Sequence, residues 1–196
     1  MRKVIRAVPR RSARLASRRR SGARAPYPLD AVYAQAGIEP PQTRAVLPHR
    51  IPPPYRSLLV HERDMTLTLE AHFGGRVMLR ALSTFREGSS YYRRVLLVQE
   101  YSARPVEMGA IRIDLVSFRP RLRAEILENR IPLGRLLRDW GVDYRSRPTD
   151  FFAVTPNSEM MGVFWMREPR TLYGRRTEMS VDGRKVGDIV EILPLV

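Results

Sequence analysis

The chain has 196 residues, 43% of them hydrophobic and 8% aromatic, which is enough for a packed core and excludes a wholly disordered chain. Thirty-five Lys and Arg stand against 20 Asp and Glu, a formal charge of +15. Cysteine is absent, which excludes disulfides, thiolate catalysis and cysteine-ligated metal, and three histidines (His49, His61, His72) are too few for a multi-histidine metal centre.

The charge is concentrated at the start. Residues 1–26 hold ten basic residues and no acid, which leaves +5 on the other 170 residues. This stretch has no apolar periodicity and reads as a basic, disordered tail. Its chemistry suits weak contact with an anionic partner, a targeting role, or plain solvation. It lacks the apolar segment of a secretory signal, and no later apolar run is long enough to span a membrane, so a cytoplasmic location is expected. Residues 27–54 are rich in proline, including Pro52-Pro53-Pro54, and read as a linker or surface-hugging arm with one short helix over 29–37. The domain boundary is placed near Pro54, and the folded domain is expected over 55–196.

From Tyr55 the pattern is α+β. Short helices are predicted over 55–61 and 66–73, the second capped by Asp64 or Thr66 and stopped at Gly74-Gly75. Strands follow at 77–85, 91–100 and 106–113, joined by short turns that imply antiparallel neighbours. Leu122 and Ile126 share a helix face. Pro132 opens a further helix with Leu133, Leu136, Leu137 and Trp140 on one stripe, ended by Gly141. Strands are predicted at 150–154 and 163–166. A final hairpin runs 175–181 and 186–193 around Asp182-Gly183, a pair suited to the positive φ of a tight turn. The expected fold is a single antiparallel sheet of about six strands with helices packed against it.

Two features stand out chemically. Arg93 and Arg94 lie side by side in a strand whose two faces are otherwise apolar. Arg93 falls with Tyr91, Val95 and Leu97, and Arg94 with Tyr92, Leu96 and Val98. A guanidinium buried there needs an anion, from the protein or from a ligand. Glu191 sits between Ile189 and Leu193 on one face of the last strand, where desolvation would raise its pKa.

Five blocks in order resemble the chorismate lyase (chorismate–pyruvate lyase) family, in its divergent branch. They are Asp64-Met65-Thr66 with Leu69-Glu70; Tyr92-Arg93-Arg94-Val95-Leu96-Leu97 with Pro105 and Gly109 beyond; Ile131-Pro132-Leu133-Gly134-Arg135; Tyr173-Gly174-Arg175-Arg176-Thr177; and Val190-Glu191-Ile192-Leu193-Pro194. The family's fold is related to UTRA-type ligand-binding domains. The resemblance implies elimination of pyruvate from chorismate to give 4-hydroxybenzoate, without metal or organic cofactor. It implies Arg93 on a carboxylate, Glu191 at the ring-hydroxyl end, and Met65 and Leu133 lining the pocket. The family's arginine after the strand glycine is replaced here by Ala110, with Arg112 two residues on as a substitute. Glu191 also lies one residue closer to the closing proline, so its register is open, with Asp188 on the opposite face. The alternative is a non-catalytic domain that binds an aromatic carboxylate. A nucleic-acid-binding reading through residues 1–26 would need a basic, aromatic-studded face on the body, and the body is nearly balanced in charge.

Overall fold

The computed structural model describes residues 25–194. The basic tail expected over 1–26 lies outside the described residues as far as Arg24. The body is a seven-stranded, wholly antiparallel sheet with helices on both faces. In chain order the elements are α1 (Leu29–Ala36), β1 (Gln42–Ala45), α2 (Tyr55–Leu59), α3 (Met65–Phe73), β2 (Val77–Glu87), β3 (Ser90–Gln99), β4 (Pro105–Asp114), α4 (Pro120–Glu128), α5 (Leu133–Asp139), β5 (Tyr144–Thr155), α6 (Ser158–Val163), β6 (Leu172–Val181) and β7 (Arg184–Leu193). The sheet order is β1-β5-β6-β7-β4-β3-β2, so the last strand is the central one.

Strand alternation divides the interior. On one face Tyr92, Leu96, Met108, Ala110, Val190 and Ile192 pack against Leu29, Val32 and Tyr33 of α1 and Met160 of α6. On the other face the interior falls into two clusters. One joins Val95, Leu97 and Leu193 to α2 and α3; the second joins Ile111, Ile113 and Met179 to α4 and α5. Asp64 caps α3 by accepting from the Leu67 N–H at 2.9 Å, and Gly74 ends the helix at φ 71°. Thr66 is not the cap. Pro132 stands at the N-cap of α5 rather than inside its first turn.

Three elements differ from expectation. The helix expected over 29–37 forms as α1, but the proline-rich segment packs rather than links: α1 buries Leu29, Val32 and Tyr33, and β1 adds a seventh strand at the sheet edge, both upstream of the boundary placed at Pro54. The strand expected over 163–166 is instead the end of a helix. Asn157 caps α6 by accepting from Met160 N–H at 2.9 Å, and Met160 and Phe164 turn inward one helical turn apart. The strand expected over 150–154 begins at Tyr144. It tolerates Pro148 because β1 covers only Phe152 to Thr155, which leaves the Pro148 edge without a neighbouring strand, and a register shift follows at Asp150. The final hairpin forms as expected, with Asp182 at φ 49° and Gly183 at φ 73°.

Candidate ligand-binding site

A cavity of about 60 Å³ lies at the seam between the two clusters of the α2–α5 face. Its floor is sheet: Arg93 and Val95 of β3, Glu107, Gly109 and Ile111 of β4, and Ile189 and Glu191 of β7. These residues are neighbours by register, since Gly109 pairs with both Val95 and Glu191, and Ile111 with both Arg93 and Ile189. Its roof is the first turn of α3 (Asp64, Met65, Thr66) and the start of α5 (Pro132, Leu133, Gly134). Four sequence-expected residues, Met65, Arg93, Leu133 and Glu191, therefore meet in one place. Arg112 does not join them. It lies on the opposite face of β4, in register with Tyr92 and Asp188, and its Nε donates to Ser90 Oγ at 2.9 Å.

Both strand arginines are buried, and they are treated differently. Arg94 donates to Glu159 at 2.8 Å and lies 4.9 Å from the ring centroid of Tyr33, so its charge is met by a protein carboxylate and a π face. Arg93 is 2% exposed and has no carboxylate partner among the described residues. Its Nη1 donates to the amide oxygen of Asn129 at 3.2 Å, and its Nε has no partner. Asn129 is itself fixed: it caps α4 in the left-handed conformation and donates to the Tyr91 hydroxyl at 2.6 Å and to Leu127 O at 2.9 Å. Burial pushes Arg93 down to about 10, which still leaves it charged at neutral pH.

Glu191 is not the free carboxyl of the site. It is 5% exposed, and its Oε2 accepts from Arg175 Nε and from Thr177 Oγ1 at 3.1 Å. Arg175 is fully buried. Its Nη1 also donates to the carbonyls of Leu59 (3.1 Å) and His61 (2.8 Å), so it ties the end of α2 and the loop before α3 to the sheet. Burial, together with the charge of Arg175, lowers the His61 pKa.

The carboxyl that faces the cavity without a partner is Glu107, which sequence reasoning missed. It is 4% exposed, and its Oε2 has no hydrogen-bond partner. Burial raises its pKa well above the carboxylate range, and the nearby Glu191 raises it further while Arg175 opposes. Burial therefore favours its neutral form. Gly109 keeps the floor open beside it: a Cβ there would lie 3.1 Å from Val95 Cγ2 and 3.2 Å from Glu107 Oε1. The cavity is thus lined both by a guanidinium without a carboxylate partner and by a carboxyl whose Oε2 is unpaired.

The volume holds a few water molecules. It is well below the roughly 300 Å³ of a usual ligand pocket, so a ring-sized guest requires the roof to lift. A wider open pocket of about 670 Å³ adjoins it and shares Asp64, Ser146 and Met179. Asp64 stands at the join. It accepts from the Tyr144 hydroxyl, pairs with Arg138 at 3.2 Å, and rests on Gly134, where a Cβ would fall 1.8 Å from Asp64 Oδ2. Burial and the Asp64 bond both raise the Tyr144 pKa. Among the described residues no group of three or more His, Asp or Glu is placed to hold a metal. None of the described helices is long and apolar enough to cross a membrane.

No protein-family model matches the sequence, and no curated protein does. Solved structures of similar outline exist. The effector domain of PhnF from Mycobacterium smegmatis aligns at 16% identity and a TM-score of 0.48, covering 66% of this chain and 87% of that one. The longer PhnF structure aligns at 15% and 0.48, covering 68% of this chain, which spans only 64% of PhnF. The C-terminal domain of the histidine utilization repressor from Pseudomonas syringae aligns at 15% and 0.38, covering 61% and 92%.

Proposed function

We propose that this domain binds a small cyclic or aromatic carboxylate in the cavity between the sheet and α3/α5. The observation that carries this reading is Arg93, a buried guanidinium held by a neutral amide, its Nε–H without a partner. An unpaired buried charge costs several kcal/mol, roughly, and a ligand carboxylate would supply the missing anion through charge-assisted bonds. Glu107, whose neutral form burial favours, would donate a hydrogen bond to a second polar group of the guest. Met65, Val95, Leu133 and Ile189 would hold the ring between them. Glu191, engaged by Arg175 and Thr177, would serve to position the roof rather than meet the ligand.

A thermal-shift titration with 4-hydroxybenzoate tests this. The melting temperature should rise with ligand concentration, as binding to the native state alone requires. The same ligand should leave Arg93→Met unshifted. A flat response from the unaltered protein to 4-hydroxybenzoate and to related monocarboxylates would overturn the proposal.

A second reading is favoured by the facing of Arg93 and the acid of Glu107 across one cavity, an arrangement that suits chorismate lyase chemistry. There the ring C–O bond of chorismate breaks, the neighbouring hydroxyl-bearing ring carbon loses its proton so that the ring becomes aromatic as 4-hydroxybenzoate, and the departing enolpyruvyl group takes up one proton on its methylene carbon to become pyruvate. The protein's part would be to hold the dianion and supply a proton. Incubation with chorismate, read by a pyruvate-coupled dehydrogenase, separates the two. Pyruvate release supports the lyase; a thermal shift without pyruvate supports the binder.

A further inference from the structure

We propose that the concavity at the end of α6 binds single-stranded nucleic acid, with a base stacked on the Trp165 indole and phosphates on Arg104, Arg167 and Arg170. Trp165 occupies the left-handed position just past the helix, at φ 55°, its N–H bonded to Gly162 O at 3.2 Å and the next N–H to Met161 O at 2.8 Å. Helices ordinarily place glycine there, because a bulky side chain is strained in that conformation. The tryptophan does not repay the strain by packing. Phe164 beside it is buried in the core, whereas Trp165 is 65% exposed.

Trp165 lines a concavity of about 370 Å³ together with Arg104, from the β3–β4 turn, and Arg167 and Arg170, from the loop after α6. All three arginines are exposed, and among the described residues none makes an ion pair. Glu168 is the one acid in the lining. Three guanidiniums without ion-pair partners among the described residues, set around an open aromatic face with one carboxylate beside them, fit a polyanion that carries flat rings. A recess rather than a ridge favours a base over a lipid interface. This is the basic, aromatic face that a nucleic-acid reading requires of the body. The ten basic residues before Ala25, with no acid among them, would add long-range attraction for the same polyanion. The surface involves none of the residues of the carboxylate cavity, so the two proposals stand or fall separately.

The chain contains two tryptophans, and Trp140 is half-buried with its indole N–H on Glu125 at 3.1 Å, so the part of the quenching that Trp165→Gly abolishes reports Trp165. Full-length protein titrated with oligothymidylate at low salt should show quenched indole emission. Trp165→Gly should melt at the same or a higher temperature, since glycine suits the position, yet bind a labelled oligothymidylate roughly tenfold more weakly. Replacing Arg104, Arg167 and Arg170 together by Gln should reduce the log–log salt slope by about 2. Absence of quenching, or undiminished affinity in Trp165→Gly, would overturn the proposal. So would an indole response to phosphatidylserine vesicles with none to the oligonucleotide, which would assign the surface to an anionic membrane.

Discussion

Replacing Arg93 by methionine removes a buried charge whose partner is an amide, so the unliganded protein should lose little stability and could gain some. The same replacement should weaken binding of an aromatic carboxylate by about 10- to 100-fold, the worth of a charge-assisted bond. Denaturant melts beside ligand titrations check both halves; a large loss of stability would mean that Arg93 is structural. Glu107 gives a pH test. Its folded pKa lies above the unfolded value of about 4.3. Its contribution is therefore complete below that value and declines as pH rises toward the folded pKa, because the unfolded chain releases the proton first. Glu107→Gln keeps the neutral shape and loses the slope. Its melting temperature relative to the unaltered protein should climb from acid toward neutral pH, and parallel curves would refute the assignment. The alternation that placed Arg93 and Arg94 on opposite faces was legible in the sequence. Which of them lacked an anion was not, because their partners come from Asn129 and Glu159, 36 and 65 residues away. The Arg175–Glu191 pair was hidden for a different reason. Counting outward from the Asp182-Gly183 turn sets Arg175 opposite Val190, and only the register shift between Met179 and Ser180 moves it opposite Glu191.

Elements with strong local signals formed where expected. The capped α3, the stripe of α5 and the Asp-Gly hairpin each combine periodicity with a terminator. Val163 to Met166 failed because a four-residue apolar run suits a strand or a helix end equally, and the arbiter was the Asn157 cap, which lies upstream of that run. The roof depends on a contact between elements. Gly134 needs no unusual φ; what it provides is room for the Asp64 carboxylate that caps α3. Gly134→Ala should push Asp64 off its cap and away from Tyr144, costing about 2 kcal/mol in urea or guanidinium melts. It should also weaken ligand binding, since the start of α3 would shift. An unchanged midpoint would show that Asp64 has another place to go.

At the scale of the molecule, the sheet and the roof have different claims on stability. β7 lies at the centre of seven strands, bonded on both sides, and supplies Ile189 and Glu191 to the floor. α3 and α5 are short, meet over a seam that the two clusters leave unfilled, and are joined by Asp64, Tyr144 and the Arg135–Glu70 pair. Opening of the roof should therefore need far less free energy than disruption of the floor. A ligand too large for about 60 Å³ can enter only through such an opening and should then hold the roof against it. Native-state hydrogen exchange followed by mass spectrometry tests this. Amides of α3 and α5 should exchange faster than those of β7 in the free protein. Saturating 4-hydroxybenzoate should slow α3 and α5 selectively and leave β7 near its global limit. Uniform slowing across the sheet and both helices would instead mean that the guest binds a preformed site and the roof does not move.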